Sequence, residues 1–249
     1  MTPKLSIITV TFNAETFIES TIQSIAEQSF TDREYLVVDG LSRDKTCDIL
    51  KRYPETVTRF ISEKDAGLYD AMNKAIHMAQ GEYIMFLNAG DLFYNKDSLS
   101  KAFEQANDED IIYGDTAIID TDYQYVGMRH LRPPANLNWK SFKNGMVVCH
   151  QSIIAKRTIT PDYDLHYRVA ADIDWAIRLT KSAKTFHFYK EPLIKFMQDG
   201  ISTQYRSLGL KERYQVQKKY YGSLSTFLNN VKLGMKYFLS LRFISNVRK

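Results

Sequence analysis

Four aspartates, Asp39, Asp65, Asp91 and Asp172, stand at the end of an apolar run, in a turn or at the start of a helical segment. Singly, carboxylates in such places act as caps and turn formers. Grouped on one rim they can do more. Hard oxygen ligands suit Mg²⁺ or Mn²⁺, ions that neutralise a diphosphate, and a carboxylate can take the proton from an attacking hydroxyl. Two of these aspartates have polar company at neighbouring run ends: Thr11 and Asn13 after the first run, and Asn88-Ala89-Gly90 immediately before Asp91. Asp172 and Asp174 lie two apart, a spacing that does not share a helix face.

The elements that must position these groups alternate. Leu5–Thr11 is an apolar, β-branched run without alternation, the pattern of a strand buried on both faces. Ala14–Gln28 carries Phe17, Ile18, Thr21, Ile22 and Ile25 at helical spacing. Tyr35–Val38 reads as a second strand ending at Asp39-Gly40, and Ser42–Tyr53 as a helix capped by Ser42 and followed by Pro54. Thr58–Ser62 is a third strand, Leu68–Gln80 a helix stopped by Gly81, and Glu82–Leu87 a fourth strand. Such alternation predicts an α/β sheet wound by helices on both faces, with ligands beyond the carboxyl ends of its strands. The middle is more mixed, with strands at Ile111–Tyr113, Thr116–Ile119, Val147–Ile154, Thr185–Tyr189 and Leu193–Met197, and a helix at Ala170–Lys181.

Composition excludes several classes. The chain has 249 residues, 44% hydrophobic and 25% charged, with a net charge of +4, an ordinary globular balance. Cys47 and Cys149 are its two cysteines, without CxxC or a Cys/His ladder, so neither a disulfide scaffold nor a structural zinc is expected and a reducing, cytosolic setting is. Neither a secretory leader nor an apolar run long enough to span a bilayer is read. No G-x-G-x-x-G follows the first strand, where the residues are Thr11-Phe12-Asn13-Ala14-Glu15, and neither a P-loop nor a GxSxG elbow occurs.

Five blocks in consistent order resemble the family 2 glycosyltransferases, inverting enzymes of GT-A fold, over about the first 205 residues. They are Ser6-Ile7-Ile8-Thr9-Val10-Thr11-Phe12-Asn13, Val38–Thr46, Glu63–Lys74, Ala79–Asp91, and the pair Cys149-His150-Gln151-Ser152 with Ala171-Asp172-Ile173-Asp174-Trp175. The Tyr69–Lys74 and Cys149–Ser152 variants look most like the bacterial exopolysaccharide and O-antigen branch, colanic acid included.

The resemblance implies a GT-A domain over 1–205, with a nucleotide-sugar half (1–100) and an acceptor half (101–205), and a basic, amphipathic helical tail over 206–249. It implies that Thr11 and Asn13 line the nucleotide pocket and that Asp39 accepts a ring N–H of the base, usually uracil. Asp65, Asn73 and Lys74 would complete the nucleotide and diphosphate side. The family's Asp-x-Asp metal motif is relaxed here to Asn88-Ala89-Gly90-Asp91. Asp91 is then the direct ligand of Mn²⁺ or Mg²⁺, with diphosphate and water filling most other positions and Asn88 holding ribose or a metal-bound water. His150 is an additional ligand, an acceptor-site residue or simply structural. Asp172 is the base that deprotonates the acceptor hydroxyl. Trp175 either stacks on an acceptor sugar or belongs to the core, and Gly200-Ile201-Ser202-Thr203 forms a loop closing over the ligands.

The expected reaction moves a sugar from a nucleoside diphosphate sugar, a UDP-sugar by preference, to a lipid-linked glycan acceptor in surface polysaccharide synthesis. A sugar-nucleotide nucleotidyltransferase would need a Gly- and Arg/Lys-rich loop that Thr11–Glu15 lacks. A non-catalytic sugar-nucleotide-binding subunit remains the rival from another class. From Arg213 to Lys249 there are basic residues and no Asp or Glu, and Leu224, Phe227, Leu228, Val231, Met235 and Phe238 fall roughly on one stripe. That stripe suits an anionic membrane at the inner face of the plasma membrane, or packing against the domain or a partner. Nucleic acid is not expected, because no binding motif accompanies the charge. No pattern specifies an oligomeric state.

Overall fold

The structure, a computed structural model, describes residues 2–198 and 205–232. Its first half alternates as the sequence predicts: β1 (Leu5–Thr11), α1 (Ile18–Ala26), β2 (Arg33–Asp39), α2 (Thr46–Lys51), β3 (Arg59–Ser62), α3 (Leu68–Met78) and β4 (Tyr83–Phe86). The second half holds β5 (Leu92–Phe93), α4 (Ser98–Gln105), β6 (Ile111–Ile119), β7 (Tyr125–Met128), β8 (Ile153–Lys156), α5 (Ala171–Ser182), β9 (Phe186–Met197) and α6 (Arg206–Tyr221). These strands form one sheet in the order β3-β2-β1-β4-β8-β6-β9-β5, with β7 paired to β6 outside that path.

The central strands are buried on both faces, so alternate side chains feed two cores. Leu5, Ile7, Tyr35, Val37, Tyr83 and Met85 pack with Ile18, Ile22 and Ile25 of α1 and Leu99 of α4. Ile8, Val10, Leu36, Val38, Ile84 and Phe86 pack on the other side, with Met72 and Ala75 of α3 and Trp175 and Ile177 of α5. A one-residue slip of any of these strands would exchange the two sets, which fixes register. The observed register sets Thr11 opposite Asp39, and Asp39 opposite Ser62. Three polar residues thus stand in one row at the carboxyl rim.

The sheet is mixed. β1, β2, β3 and β4 pair in parallel, but β8 runs antiparallel to both β4 and β6. β6 and β9 are each continuous, where the sequence reading split each into two strands. The register shift at Gly114–Thr116, opposite Pro192, explains the split: proline cannot donate to the ladder, and the sheet absorbs it as a bulge. Only Ile153 onward of Val147–Ile154 is strand, because His150–Ser152 forms a 3-10 turn. Ser42 does not cap α2, which begins at Thr46; Asp44 Oδ1 instead accepts from Thr46 N at 3.0 Å.

α6 is built into the domain and is no free tail. Its buried residues are Glu212, Val216 and Gln217. Residues 223–232 continue as helix, with Leu224, Phe227, Leu228 and Val231 exposed. The apolar stripe does not pack on the domain through these four positions; Met235, Phe238 and the Gly200–Thr203 loop lie outside the described residues. No helix among the described residues is long and apolar enough to cross a membrane.

Candidate active site

The β1–α1 and β2–α2 loops are zipped together by side chains. Asn13, in the left-handed region at φ 49°, accepts from Arg43 N at 2.9 Å and donates its own N–H to Ser42 Oγ at 2.7 Å. Ala14 N donates to Thr46 Oγ1 (2.8 Å) and Glu15 N to Asp44 Oδ2 (3.0 Å). These bonds end β1 in a fixed bend, so α1 starts at Ile18 and not at Ala14.

Asp39 lies under this knot, fully buried. Its Oδ2 accepts from Ser62 Oγ (2.6 Å), Ser42 N (2.9 Å) and Cys47 Sγ (3.3 Å), while Oδ1 takes the Ser42 hydroxyl alone. Oδ1 thus carries one donor where Oδ2 carries three. Asp65 stands directly above: its Oδ2 is 2.5 Å from where a Cβ on Gly40 would be, space that only glycine leaves. Thr11 Oγ1, in the same row, is buried without a partner. Phe12, 61% exposed, and Leu41, 49% exposed, flank this mouth. Sequence reasoning passed over both; a large apolar side chain one residue past a buried strand was the available signal.

Asn73 and Lys74 do not open onto this pocket. Asn73 clamps the backbone of Tyr163, with Nδ2 donating to its carbonyl (2.9 Å) and Oδ1 accepting its N–H (2.6 Å). Lys74 is tied to Glu63 at 2.8 Å, Asp70 at 3.6 Å and the Lys64 carbonyl at 2.8 Å.

The turn after β4 makes the second part of the site. Asp91 N donates to Asn88 O (3.0 Å), and Gly90 takes φ +98°, a conformation strained for any other residue. Ala89 lies within this turn and packs partly against the core. The Asp91 carboxyl is buried, with Oδ1 accepting from Met197 N (2.9 Å) and Oδ2 from Gln151 Nε2 (3.0 Å). Burial pushes its pKa up to about 7, against the lowering effect of those two bonds. Gln151 in turn accepts from Cys149 Sγ at 2.8 Å. His150 sits edge-on to Phe86 with Nε2 buried and unpartnered; burial, reinforced by the Arg129 charge, drives its pKa down to about 4, so it is neutral at pH 7.

The fit of a divalent ion here can be judged from these atoms. Among the described residues no three His, Cys, Asp or Glu converge on one point. Each Asp91 oxygen nevertheless keeps acceptor capacity, and two buried acceptors are orphaned: Asn88 Oδ1, three residues before it, and His150 Nε2, on the residue next to its partner Gln151. This set fits an ion brought in on a diphosphate, with few protein ligands.

The third part is Asp172, in the first turn of α5. Burial raises its pKa, opposed by the Ile173 N–H and by the charges of Arg213 and Arg129. Burial pushes the Cys149 thiol up to about 12, and the negative charges of Asp91 and Asp172 add to that. The approach to α5 is held by Glu212 of α6, which accepts from Arg168 N (3.0 Å), Val169 N (2.8 Å) and Ala170 N (3.0 Å). Tyr69 adds a bond to Val169 O at 2.7 Å. Asp174 faces the other way, fully buried, bonded to Arg178 (2.7 Å), Lys219 (2.9 Å) and Tyr220 (2.9 Å). Burial raises its pKa, but these donors outweigh that and hold it low. Trp175 belongs to the core: it is buried, stacked on Tyr163, and donates to Pro161 O at 2.8 Å. It offers no face to a sugar.

The family model described as Glycosyl transferase family 2 matches residues 6–160. Over 186 residues the chain is 36% identical to a PGL/p-HBAD biosynthesis glycosyltransferase of Mycobacterium bovis (strain BCG / Pasteur 1173P2), covering 71% of this chain and 69% of the relative. Among solved structures, S. aureus TarS 1-349 in complex with UDP-GlcNAc superposes with a TM-score of 0.70 at 19% identity, over 86% of this chain and 64% of that one. This chain therefore spans a little under two thirds of that chain's length. Mannosyltransferase PcManGT from Pyrobaculum calidifontis, in complex with GDP-Man and Mn²⁺, superposes with a TM-score of 0.62 at 18% identity, over 86% and 64%. At such identities the likeness to the solved structures is one of fold.

Proposed function

The chain belongs to glycosyl transferase family 2, and we propose that it transfers a sugar, with inversion, from a UDP-sugar to a hydroxyl of a glycan acceptor in bacterial surface polysaccharide synthesis. The observation that carries this reading is the buried row at the strand ends, where Asp39 lies opposite Thr11 and Ser62 and Thr11 Oγ1 has no partner.

The uracil ring would lie against Phe12 and give its N–H to the open position on Asp39 Oδ1. A buried acceptor of this kind discriminates strongly, because a base without the N–H leaves it unpaired. Thr11 Oγ1, Asn13 and Asp65 line the way to the ribose and diphosphate. Asp91 would hold Mn²⁺ or Mg²⁺, with Asn88 and His150 as the further candidates; such an ion neutralises the charge that develops on a departing diphosphate. Lys74 supports Asp65 from the side, and Asn73 acts by fixing the loop at Tyr163.

Asp172 takes the acceptor proton. The hydroxyl oxygen bonds to the anomeric carbon as the bond from that carbon to the diphosphate oxygen breaks, and the nucleoside diphosphate leaves with the electron pair. One displacement inverts the centre. A carboxylate whose pKa is raised is the better base, provided it stays ionised at the working pH. Glu212 and Tyr69 keep it aimed by holding the backbone ahead of α5. A lipid-linked acceptor at the inner face of the plasma membrane suits the exposed Leu224, Phe227, Leu228 and Val231 on an acid-free, basic stretch.

Asp172→Asn is the direct test. Turnover of the donor should be lost while calorimetric binding of UDP persists. Retained turnover overturns the base assignment. If the wild-type chain binds neither UDP nor GDP, with or without Mn²⁺, the donor pocket is wrong. One feature favours a non-catalytic sugar-nucleotide-binding subunit as a second reading: both Asp91 oxygens already have internal donors. UDP binding indifferent to Mn²⁺, together with no turnover by the wild-type chain, would select it.

A further inference from the structure

Past Gly222, where α6 ends, residues 223–232 form a helix whose polarity is inverted. The side that meets the domain is polar. Thr226 is buried, Asn229 Nδ2 donates to Lys143 O at 3.0 Å, and Asn230 Nδ2 donates to Gln217 Oε1 at 3.1 Å. Gln217, itself buried on α6, donates to the same Lys143 carbonyl at 2.7 Å. The side that meets water carries Leu224, Phe227, Leu228 and Val231, at the i, i+3, i+4, i+7 spacing of one helical stripe, and all four are exposed.

A helix that packs on a domain for stability alone turns such a stripe inward, because burying it is the larger gain. Here amides and a hydroxyl take the inner side, and the apolar stripe is left for a medium other than water. Charge decides which medium. The chain from Arg213 to Lys249 has eight Lys and Arg residues and no Asp or Glu. Lys219 is committed to Asp174, while Lys232 directly follows the stripe. An apolar stripe in an acid-free, cationic stretch fits the surface of an anionic bilayer, whose acyl chains take the stripe and whose headgroups take the charge.

We infer that residues 223–232 dock in the plane of an anionic phospholipid bilayer and seat the acceptor half, not the nucleotide half, upon it. The contacts behind the helix give the orientation. They run to Lys143, to Trp139 through the Tyr221 hydroxyl (2.7 Å to its carbonyl, with the rings stacked), and through Glu212 to the backbone just ahead of α5. Among the described residues, no hydrogen bond or ion pair from 206–232 reaches residues 1–100. On the transferase reading above, on which this part rests, a lipid-carried acceptor arrives from the bilayer side. The donor enters from water, at the mouth flanked by Phe12 and Leu41.

The test is sedimentation of the full chain with vesicles of phosphatidylcholine alone, or of phosphatidylcholine and phosphatidylglycerol in equal parts, with UDP affinity measured by calorimetry on and off the vesicles. The chain should bind the anionic vesicles at least tenfold more tightly than the neutral ones, and less tightly as salt is raised. Phe227→Ser, on the exposed stripe, should weaken that binding roughly tenfold through the apolar area no longer buried, and Lys232→Gln about fivefold. Both variants should bind UDP in solution as the wild type does, which shows them folded. The vesicle-bound chain should keep its UDP affinity within twofold. Equal binding to the two kinds of vesicle, binding to neither, or binding indifferent to Phe227→Ser would overturn the docking face. So would self-association in solution that Phe227→Ser abolishes, which would give the stripe to a second copy of the chain. A fivefold loss of UDP affinity on the vesicles would overturn the orientation. Failure of wild-type UDP binding in solution would instead strike the donor pocket, and sedimentation would still decide the docking.

Discussion

Asp91→Asn removes one ionisable proton from the interior and changes little else. The wild-type carboxyl, 3% exposed, has a pKa pushed up to about 7 from the ordinary aspartate value of 3.8 because burial penalises its charged form. In the unfolded chain the group ionises near that ordinary value, so between those two pH values the folded state holds a proton that the unfolded state has released. Stability then falls as pH rises across the window, by about 1.4 kcal/mol per pH unit, and levels off above about pH 7. Asparagine has no such slope. Its oxygen can still accept from Met197 N, and the Gln151 amide can flip to receive the new N–H₂, at a cost of roughly 1 kcal/mol for reordered neutral hydrogen bonds. The stability of Asp91→Asn relative to wild type should therefore rise by about 2 kcal/mol from pH 5 to pH 7, gain a few tenths more by pH 8 and then level off. Urea unfolding followed by tryptophan fluorescence, in chelator at pH 5, 6, 7 and 8, reads the difference directly. A difference that does not vary with pH would refute the reasoning, because the carboxylate would then carry no burial penalty. If the variant also loses the Mn²⁺ dependence of UDP binding, the residue serves the ion as well as the fold.

Glu212→Ala should cost roughly 2–4 kcal/mol in urea unfolding, since it strands three backbone N–H groups ahead of α5. It should lower kcat more than donor affinity. Asp39→Asn should weaken UDP binding at least tenfold by calorimetry, because one of its acceptor positions becomes a donor facing the base; an unchanged affinity would remove Asp39 from the pocket. The pH profile of kcat/KM should fall on the acid side with an apparent pKa above that of an exposed aspartate, since Asp172 must be ionised to act and burial raises its pKa. Neutralising Arg213 should move that limb to still higher pH, as its charge favours the ionised form.

Much of residues 1–100 was legible in the chain itself. β1, β2 and β4 are coded locally: each is an apolar run buried on both faces, and each ends in residues that cannot continue it, such as Asp39-Gly40. The motifs of the family sit at those ends, so the sequence already sets Thr11, Asp39 and Asp91 at the rim. What the sequence could not give there is the side-chain partners. Ser42 reads as a cap, but Asp39 is close enough in the folded chain to claim it. Asn73 and Lys74 share the motif helix, and the folded chain ties them to Tyr163 and to Glu63 and Asp70.

The acceptor half depended on closure of the whole chain. Nothing local says that β8 runs antiparallel between β4 and β6, or that Pro192 is absorbed as a bulge within one strand. The stretch after Arg206 reads as a basic tail from its charge, but Glu212 finds its partners in the backbone just ahead of α5 and Lys219 finds Asp174 on α5, more than forty residues earlier, which ties α6 to the domain. Arg129 and Arg213 carry no sequence signal at all. Apolar periodicity encodes which face of an element is buried, because burial follows from each side chain's own affinity for water. Which charges meet is a property of pairs distant in sequence, and the tertiary structure alone decides it.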